Sequence, residues 1–420
     1  MKIARIVLLL TLLPGLSLRA EEKPKVIWSV DLRSNGVDEA VWNYRYWGYS
    51  VGVAANASRV VVAYSNPSAA RTSAIYEGPW EVRLIVFDVR TGRLLSQHSQ
   101  RGPWRGKIEF MVRSTADGNF LLLLDSINRW GEKATGTIVL LSADGEELKR
   151  LDLEYSQRKG TYVRPMVFQS SSGRNLLVES RGDDAWRYQV LSTDTLETRM
   201  QWTEAAEALR PATIAISDEE IMATDEFWAE YPGSRSDREQ KFYARKFGEA
   251  WTDASRSGFA TGKAGDGVFL PTAFLNNQDV VGQACNNPKC WRMALAKTDG
   301  SIVARYLIPR SLGYTAARGR VSVTMDGRYF ATELFHESSL SHWWNTDADM
   351  WSFGYKFLVY VWDAKDENPI AKITFDETLH GYCFVEGETP ALAALDGPNL
   401  KLLSIDKAAT GSSASRSSQK

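Results

Sequence analysis
HESSLSHWWNTDADMWSFGYKF, residues 336–357, gathers His336, His342, Asp347 and Asp349 into one segment. Its Asp-x-Asp pair offers oxygen ligands of the kind calcium takes. The spacing matches no ligand pattern, and Asp is a common turn former, so no metal or other cofactor is expected. ACNNPKCW brings Cys285 and Cys290 close enough to bridge around an Asn-Asn-Pro turn, in a compartment that allows it. The alternative is two free thiols. Cys383, in GYCFVEGE, lies in a strand-like run and reads as a small buried hydrophobe. Asp183-Asp184, beside Arg181 and Arg187, reads as a solvated turn.

Enzyme signatures are missing. There is no G-x-S-x-G elbow, no H-E-x-x-H, no phosphate-cradling glycine loop and no sialidase-type box, and the chain has 4 His: His98, His336, His342 and His380. Aromatics are plentiful instead. VWNYRYWGY (41–49) carries Trp42, Tyr44, Tyr46, Trp47 and Tyr49, and residues 343–351 carry Trp343, Trp344 and Trp351. Such groups suit sugar stacking or a protein hot spot, because Trp and Tyr combine large contact area with a polar tip. Trp80, Trp186 and Trp291 each precede an apolar strand and read as packing residues, while Trp130 and Trp228 fall in connecting segments.

The elements that must position these residues come from a repeat. NASRVVVAYS, ADGNFLLLLDS, SSGRNLLVES, SDEEIMATDE, NNQDVVGQAC, MDGRYFATEL and EGETPALAAL are each a polar turn followed by a short strand. They start between 56 and 386 in six steps, a mean of 55 residues. After each comes a hairpin such as RLIVFDVRTGRLLSQ (83–97) or RMALAKTDGSIVARYLI (292–308), and before it a further strand such as KIEFMVRS (107–114). KFYARKFGEAWTDAS (241–255) fills the hairpin slot loosely. Four strands in seven repeats predict an all-β fold, a seven-bladed β-propeller of four-stranded antiparallel blades, since radial packing buries both faces of each sheet. KVIWSVDLRS (25–34) resembles the fourth strand that the last repeat lacks after NLKLLSID (399–406), so the N-terminal strand is expected to close the ring.

The ends add localisation. Lys2 and Arg5 precede the apolar run Ile6–Leu13 and the exit Leu18-Arg19-Ala20, which reads as a signal peptide over 1–20, with a retained anchor as the alternative. The propeller spans 21–406, and the Ser/Ala-rich 407–420 reads as a disordered tail. An exported, periplasmic or secreted, monomer with no membrane span in the mature chain follows. The formal charge of −1 becomes −4 without Lys2, Arg5 and Arg19, and no basic block remains for nucleic acid.

The turn-strand M-D-G-R-Y-F-A-T resembles the S-x-D-G-[KR]-x-x-A signature of TolB-like and WD-repeat-like bacterial propellers, although Trp362-Asp363 is the one Trp-Asp pair that ends a repeat strand. The resemblance implies a binding platform. The segments expected to join second to third strands, at 66–82, 127–136, 181–186, 226–240, 285–290 and 336–356, would decorate one face and leave the other plain. The sequence thus points to a binding or scaffold module that meets a protein or glycan through an aromatic-rich face. Two alternatives stand beside it. One is a glycan-cleaving propeller with carboxylates such as Glu333 and Asp225 converging on the channel. The other is an assembly component of the cell envelope.

Overall fold
The computed structural model describes residues 24–42, 51–67, 79–105, 107–127, 136–158, 161–163, 165–205, 211–224, 242–253, 268–286, 289–298, 301–308, 314–336, 356–375, 377–387 and 390–405. Seven four-stranded antiparallel sheets form a ring. Blade 1 runs Val51–Ala55, Arg59–Pro67, Pro79–Asp88, Leu94–Arg105. Blade 2 runs Lys107–Ser114, Phe120–Ile127, Gly136–Leu141, Glu147–Leu153. Blade 3 runs Met166–Gln169, Asn175–Arg181, Ala185–Ser192, Thr198–Ala205. Blade 4 runs Ala212–Ile216, Glu220–Thr224, Phe242–Lys246, Thr252–Asp253. Blade 5 runs Val268–Phe274, Asp279–Asn286, Lys289–Lys297, Ile302–Leu307. Blade 6 runs Tyr314–Val323, Tyr329–His336, Lys356–Asp363, Ala371–Thr374. Blade 7 runs Leu379–Val385, Ala391–Asp396, Asn399–Ser404 and takes its outer strand, Val26–Asp31, from the other end of the chain.

Local chemistry sets the first hairpin of blades 1 to 6. After the inner strands of blades 2, 3 and 6 come Thr115, Ser170 and Thr324. Their side-chain oxygens accept from the backbone N–H of Asn119 at 3.1 Å, Asn175 at 3.1 Å and Tyr329 at 2.9 Å. The glycine three positions on sits at φ +78°, +72° or +67°, a left-handed turn that a Cβ would strain. Blades 1, 4 and 5 reach the same end without glycine. Asn56, Ser217 and Asn276 each accept from two backbone N–H groups of the turn, at 2.7 to 3.2 Å. The recurring polar turn is therefore one device with two chemistries.

Ring closure is antiparallel, with Val26 opposite Leu403 and Asp31 opposite Asn399. Trp28 Nε1 donates to Val89 O of blade 1 at 2.7 Å, and its indole lies on Gly92, where a Cβ would stand 2.8 Å from the ring. The closing strand thus grips the neighbouring blade as well as completing its own. It ends level with its pairing partner, and Leu32–Asn35 then forms a short 3-10 segment capped by Asp31 and Gly36.

The core is a set of layers between neighbouring blades rather than one central mass. Leu32, Val60, Phe87, Ala393 and Leu402 fill the layer between blades 7 and 1. Phe330 stacks on Trp362 at 5.4 Å in the layer between blades 5 and 6. Each such fully buried side chain contributes about 1.5–3 kcal/mol.

Connections from second to third strand differ from the even decoration that the sequence suggests. In blade 3 the turn is Gly182-Asp183-Asp184 alone, and in blade 5 two residues separate Asn286 from Lys289. Pairing with the flanking strands extends both hairpins into segments that carry no strand-like pattern of their own. Long connections remain at 68–78, 128–135, 225–241 and 337–355. Among the described residues the helical content is two 3-10 turns, and no helix is long and apolar enough to cross a membrane.

Candidate functional site
The seven inner strands enclose a central cavity of about 440 Å³. Val53, Arg113, Gln169, Ile214, Thr272, Ser322 and Cys383 line it, one from each blade. This size is that of a small-molecule site. At the end where inner strands turn into second strands, Met325 of blade 6 reaches blade 3. A Cβ on Gly173 would lie 3.1 Å from its Cε. Blades 3 and 6 are not neighbours, so this side chain crosses the lumen. The adjoining turns are tied: Ala116 N–H donates to Gly173 O at 3.1 Å, and Met325 N–H donates to Glu386 Oε1 at 2.9 Å.

Three ionisable groups shape the cavity. Arg113 is exposed to the lumen, and the protein packed around it there pushes its pKa down from the ordinary arginine value. Burial pushes the Cys383 thiol up to about 12, against the pull of Arg113, so it is protonated at neutral pH. Cys383 is a free cysteine, half-buried on the inner strand of blade 7 and packed against the core, in keeping with the small-hydrophobe reading. Burial likewise raises the Glu386 carboxyl, with the Met325 N–H opposing. Glu386 is the one carboxylate among the described residues that line the cavity. Glu333 lies elsewhere, 2% exposed on the second strand of blade 6, and Asp225 lies outside the described residues.

Of the aromatic residues singled out in the sequence, Trp42 is described. It is half-buried, packs against the layer between blades 7 and 1, and meets His380 edge-on with ring centroids 5.3 Å apart. Tyr44, Tyr46, Trp47, Tyr49, Trp343, Trp344 and Trp351 lie outside the described residues, as do His342, Asp347 and Asp349. Trp186 is 2% exposed within the third strand of blade 3, under the Arg181 guanidinium at 4.5 Å, as its packing reading required. Among the described residues no three His, Cys, Asp or Glu side chains converge in a way that could hold a metal.

A second charged cluster has no forewarning in the sequence. Arg245 of blade 4, 3% exposed, pairs with Glu204 of blade 3. Its guanidinium lies 4.0 Å from the Trp251 ring centre, 4.6 Å from Tyr188 and 5.3 Å from Trp202. Nearby, Glu179, fully buried, accepts from Thr213 Oγ1 at 2.6 Å and pairs with Arg181 at 2.7 Å. These contacts join blade 3 to blade 4. The Arg245 guanidinium is met by one carboxylate and three ring faces, while its Nε and Nη2, like the Tyr188 hydroxyl and the Trp202 and Trp251 indole N–H groups, are buried without a hydrogen-bond partner among the described residues.

No family model matches the chain, and no curated protein does. Among solved structures, the Pyrococcus horikoshii acylaminoacyl peptidase superposes with a TM-score of 0.46 at 12% identity, covering 85% of this chain and 50% of that one. The chain therefore spans about half the length of that peptidase. A structure of the Dos1 propeller superposes with a TM-score of 0.41 at 10% identity, covering 92% of this chain and 95% of its own. No functional statement follows from either.

Proposed function
We propose that this chain is an exported binding module, of the TolB-like and WD-repeat-like kind, that holds a protein or glycan on one face of its ring. One observation carries the reading: the two faces are unequal. Among the described residues the turns after first and third strands are short, as in Thr115–Asn119 and Ser142–Glu146, and open on one face. Four long connections join second to third strands, and the links at 154–165 and 254–267 join a fourth strand to the next first strand, so all of them depart from the other face. The aromatic segments 41–49 and 343–351 belong to that side by their place in the chain. A rigid platform with long variable connections is where recognition is usually placed. A glycan-cleaving site would need two carboxylates near one another, and Glu386 is alone among the described lining residues.

The test is a glycan array and a pull-down with the mature monomer, beside a variant carrying Trp343, Trp344 and Trp351 changed to Ala that melts like the parent. The expected result is a ligand bound by the parent and lost, by tenfold or more, in the variant. A ligand held equally by both would remove the rim from the account. The register sets Cys285 opposite Cys290, at a separation typical of paired strands and compatible with a disulfide. We include that bridge in the exported form. Peptide mapping without reductant would remove the bridge if it found free thiols, and N-terminal sequencing would replace cleavage near residue 20 with a retained anchor if it found an intact leader.

A further inference from the structure
We propose that the central cavity binds a small organic monocarboxylate, with Arg113 as its anchor. The inference is independent of the rim. Arg113 is the starting point because nothing in the described protein neutralises it. Its one hydrogen-bond contact among the described residues is a long one, from Nη2 to Met111 Sδ at 4.0 Å, and no ion pair joins it to Glu386. A guanidinium that faces the lumen with no carboxylate beside it among the described residues has its N–H donors open to an anionic ligand. The neighbouring Cys383 thiol, held protonated, does not meet it.

The cavity's other groups narrow the class. A guanidinium offers parallel N–H donors that match a carboxylate fork. One cation suits one negative charge. Glu386 at the turn end of the same cavity opposes a polyanion, so phosphate esters and di-acids fit poorly. The walls beside Arg113 are thioether and apolar: Met111, Met325 and Phe168 line the same space. Met111 is unusual for its type, with 46% of its surface open. Thioethers adapt to apolar and aromatic bodies of varied shape. Ser322 and Thr272 are the hydroxyl-bearing lining residues of blades 6 and 5. The volume of about 440 Å³ takes a ligand of modest size.

The experiment uses the full mature chain with benzoate and hexanoate, their neutral amides, and inorganic phosphate, read by thermal shift and titration calorimetry. The carboxylates are expected to raise the melting temperature in a concentration-dependent way, and the amides to bind at least tenfold more weakly. In Arg113→Met the carboxylate response should vanish, while the ligand-free variant should melt close to the parent, since Arg113 is exposed and joins no ion pair among the described residues. Wild-type protein gives a second readout that does not depend on the variant's folding. Phenylglyoxal should modify Arg113, located by mass spectrometry, and benzoate should slow that modification. Equal binding of acid and amide, an undiminished response in Arg113→Met, a response to phosphate alone, or labelling of Arg113 indifferent to benzoate would each overturn the proposal.

Discussion

At the scale of the residue, the ring converts ordinary side chains into unusual ones by keeping water away. His380 is the clearest case. It sits on the inner strand of blade 7 against Trp42, and burial lowers its pKa from 6.5 to about 4, with the Asp396 charge opposing. A base whose pKa is depressed on folding stays neutral in the native state while the unfolded chain takes up a proton. The stability it permits is therefore present above pH 6.5 and is lost as the pH falls towards 4, by about 3 kcal/mol at most. Glu386, raised by burial, acts with the opposite slope above its ordinary value of 4.5, so the whole-protein curve mixes the two. The difference between parent and variant isolates the histidine. In His380→Gln, urea denaturation between pH 6.5 and 4 should show a flatter loss of stability than in the parent. Parallel curves would mean that His380 is solvated.

At the scale of the element, blades are joined by contacts that a single sheet does not contain. The Arg245 guanidinium between Trp251, Tyr188 and Trp202 depends on Glu204, across the joint between blades 3 and 4, for its countercharge. Removing the carboxylate leaves a desolvated cation. Glu204→Ala should cost about 2–3 kcal/mol in urea denaturation, the lower end of the usual range because Glu204 is partly exposed. Adding Arg245→Met should recover most of that loss, since an apolar chain of similar length suits three aromatic neighbours. A double variant less stable than Glu204→Ala alone would show that the cation–aromatic contacts outweigh the pairing.

At the scale of the whole molecule, both ends of the chain meet in one blade. Val26–Asp31 pairs with Asn399–Ser404 and Trp28 grips the turn at Val89, so opening the ring must break backbone bonds and a packed layer together. Deleting residues 24–31 should lower the melting temperature and raise amide exchange most in Asn399–Ser404, which would become an edge strand. Unchanged protection there would mean that blade 7 stands without its borrowed strand. Leu32→Ala, at the buried end of the same layer, should cost about 2–4 kcal/mol without altering the strand pairing.

How much of this was legible beforehand depends on the range of the interactions involved. The seven repeats, the four-strand blades and the borrowed outer strand could be read directly. The turn after each inner strand is encoded by three to five consecutive residues, as in Thr324–Arg328, and strand alternation by immediate neighbours. Trp186 and Cys383 could be placed for the same reason, because each sits in a short strand-like run. The long connections were bounded too widely in blades 3 and 5. There, pairing with flanking strands carries the hairpin closer to Asp183 and Pro288 than local pattern suggests.

The cavity and the joints were out of reach. Arg113 is an unremarked residue in KIEFMVRS, and Met325 is the first residue of a motif valued only for its turn. What brings Met325 to Gly173, or Arg245 between three aromatic rings, is the number of blades and the angle between them. By itself, then, the sequence determined the repeat, its turns and the closure of the ring, because those rest on hydrogen bonds and alternation between near neighbours. Only the tertiary structure decided which side chains share the lumen and which charge is left there without a partner. Those facts arise when residues far apart in the chain are packed about a common axis.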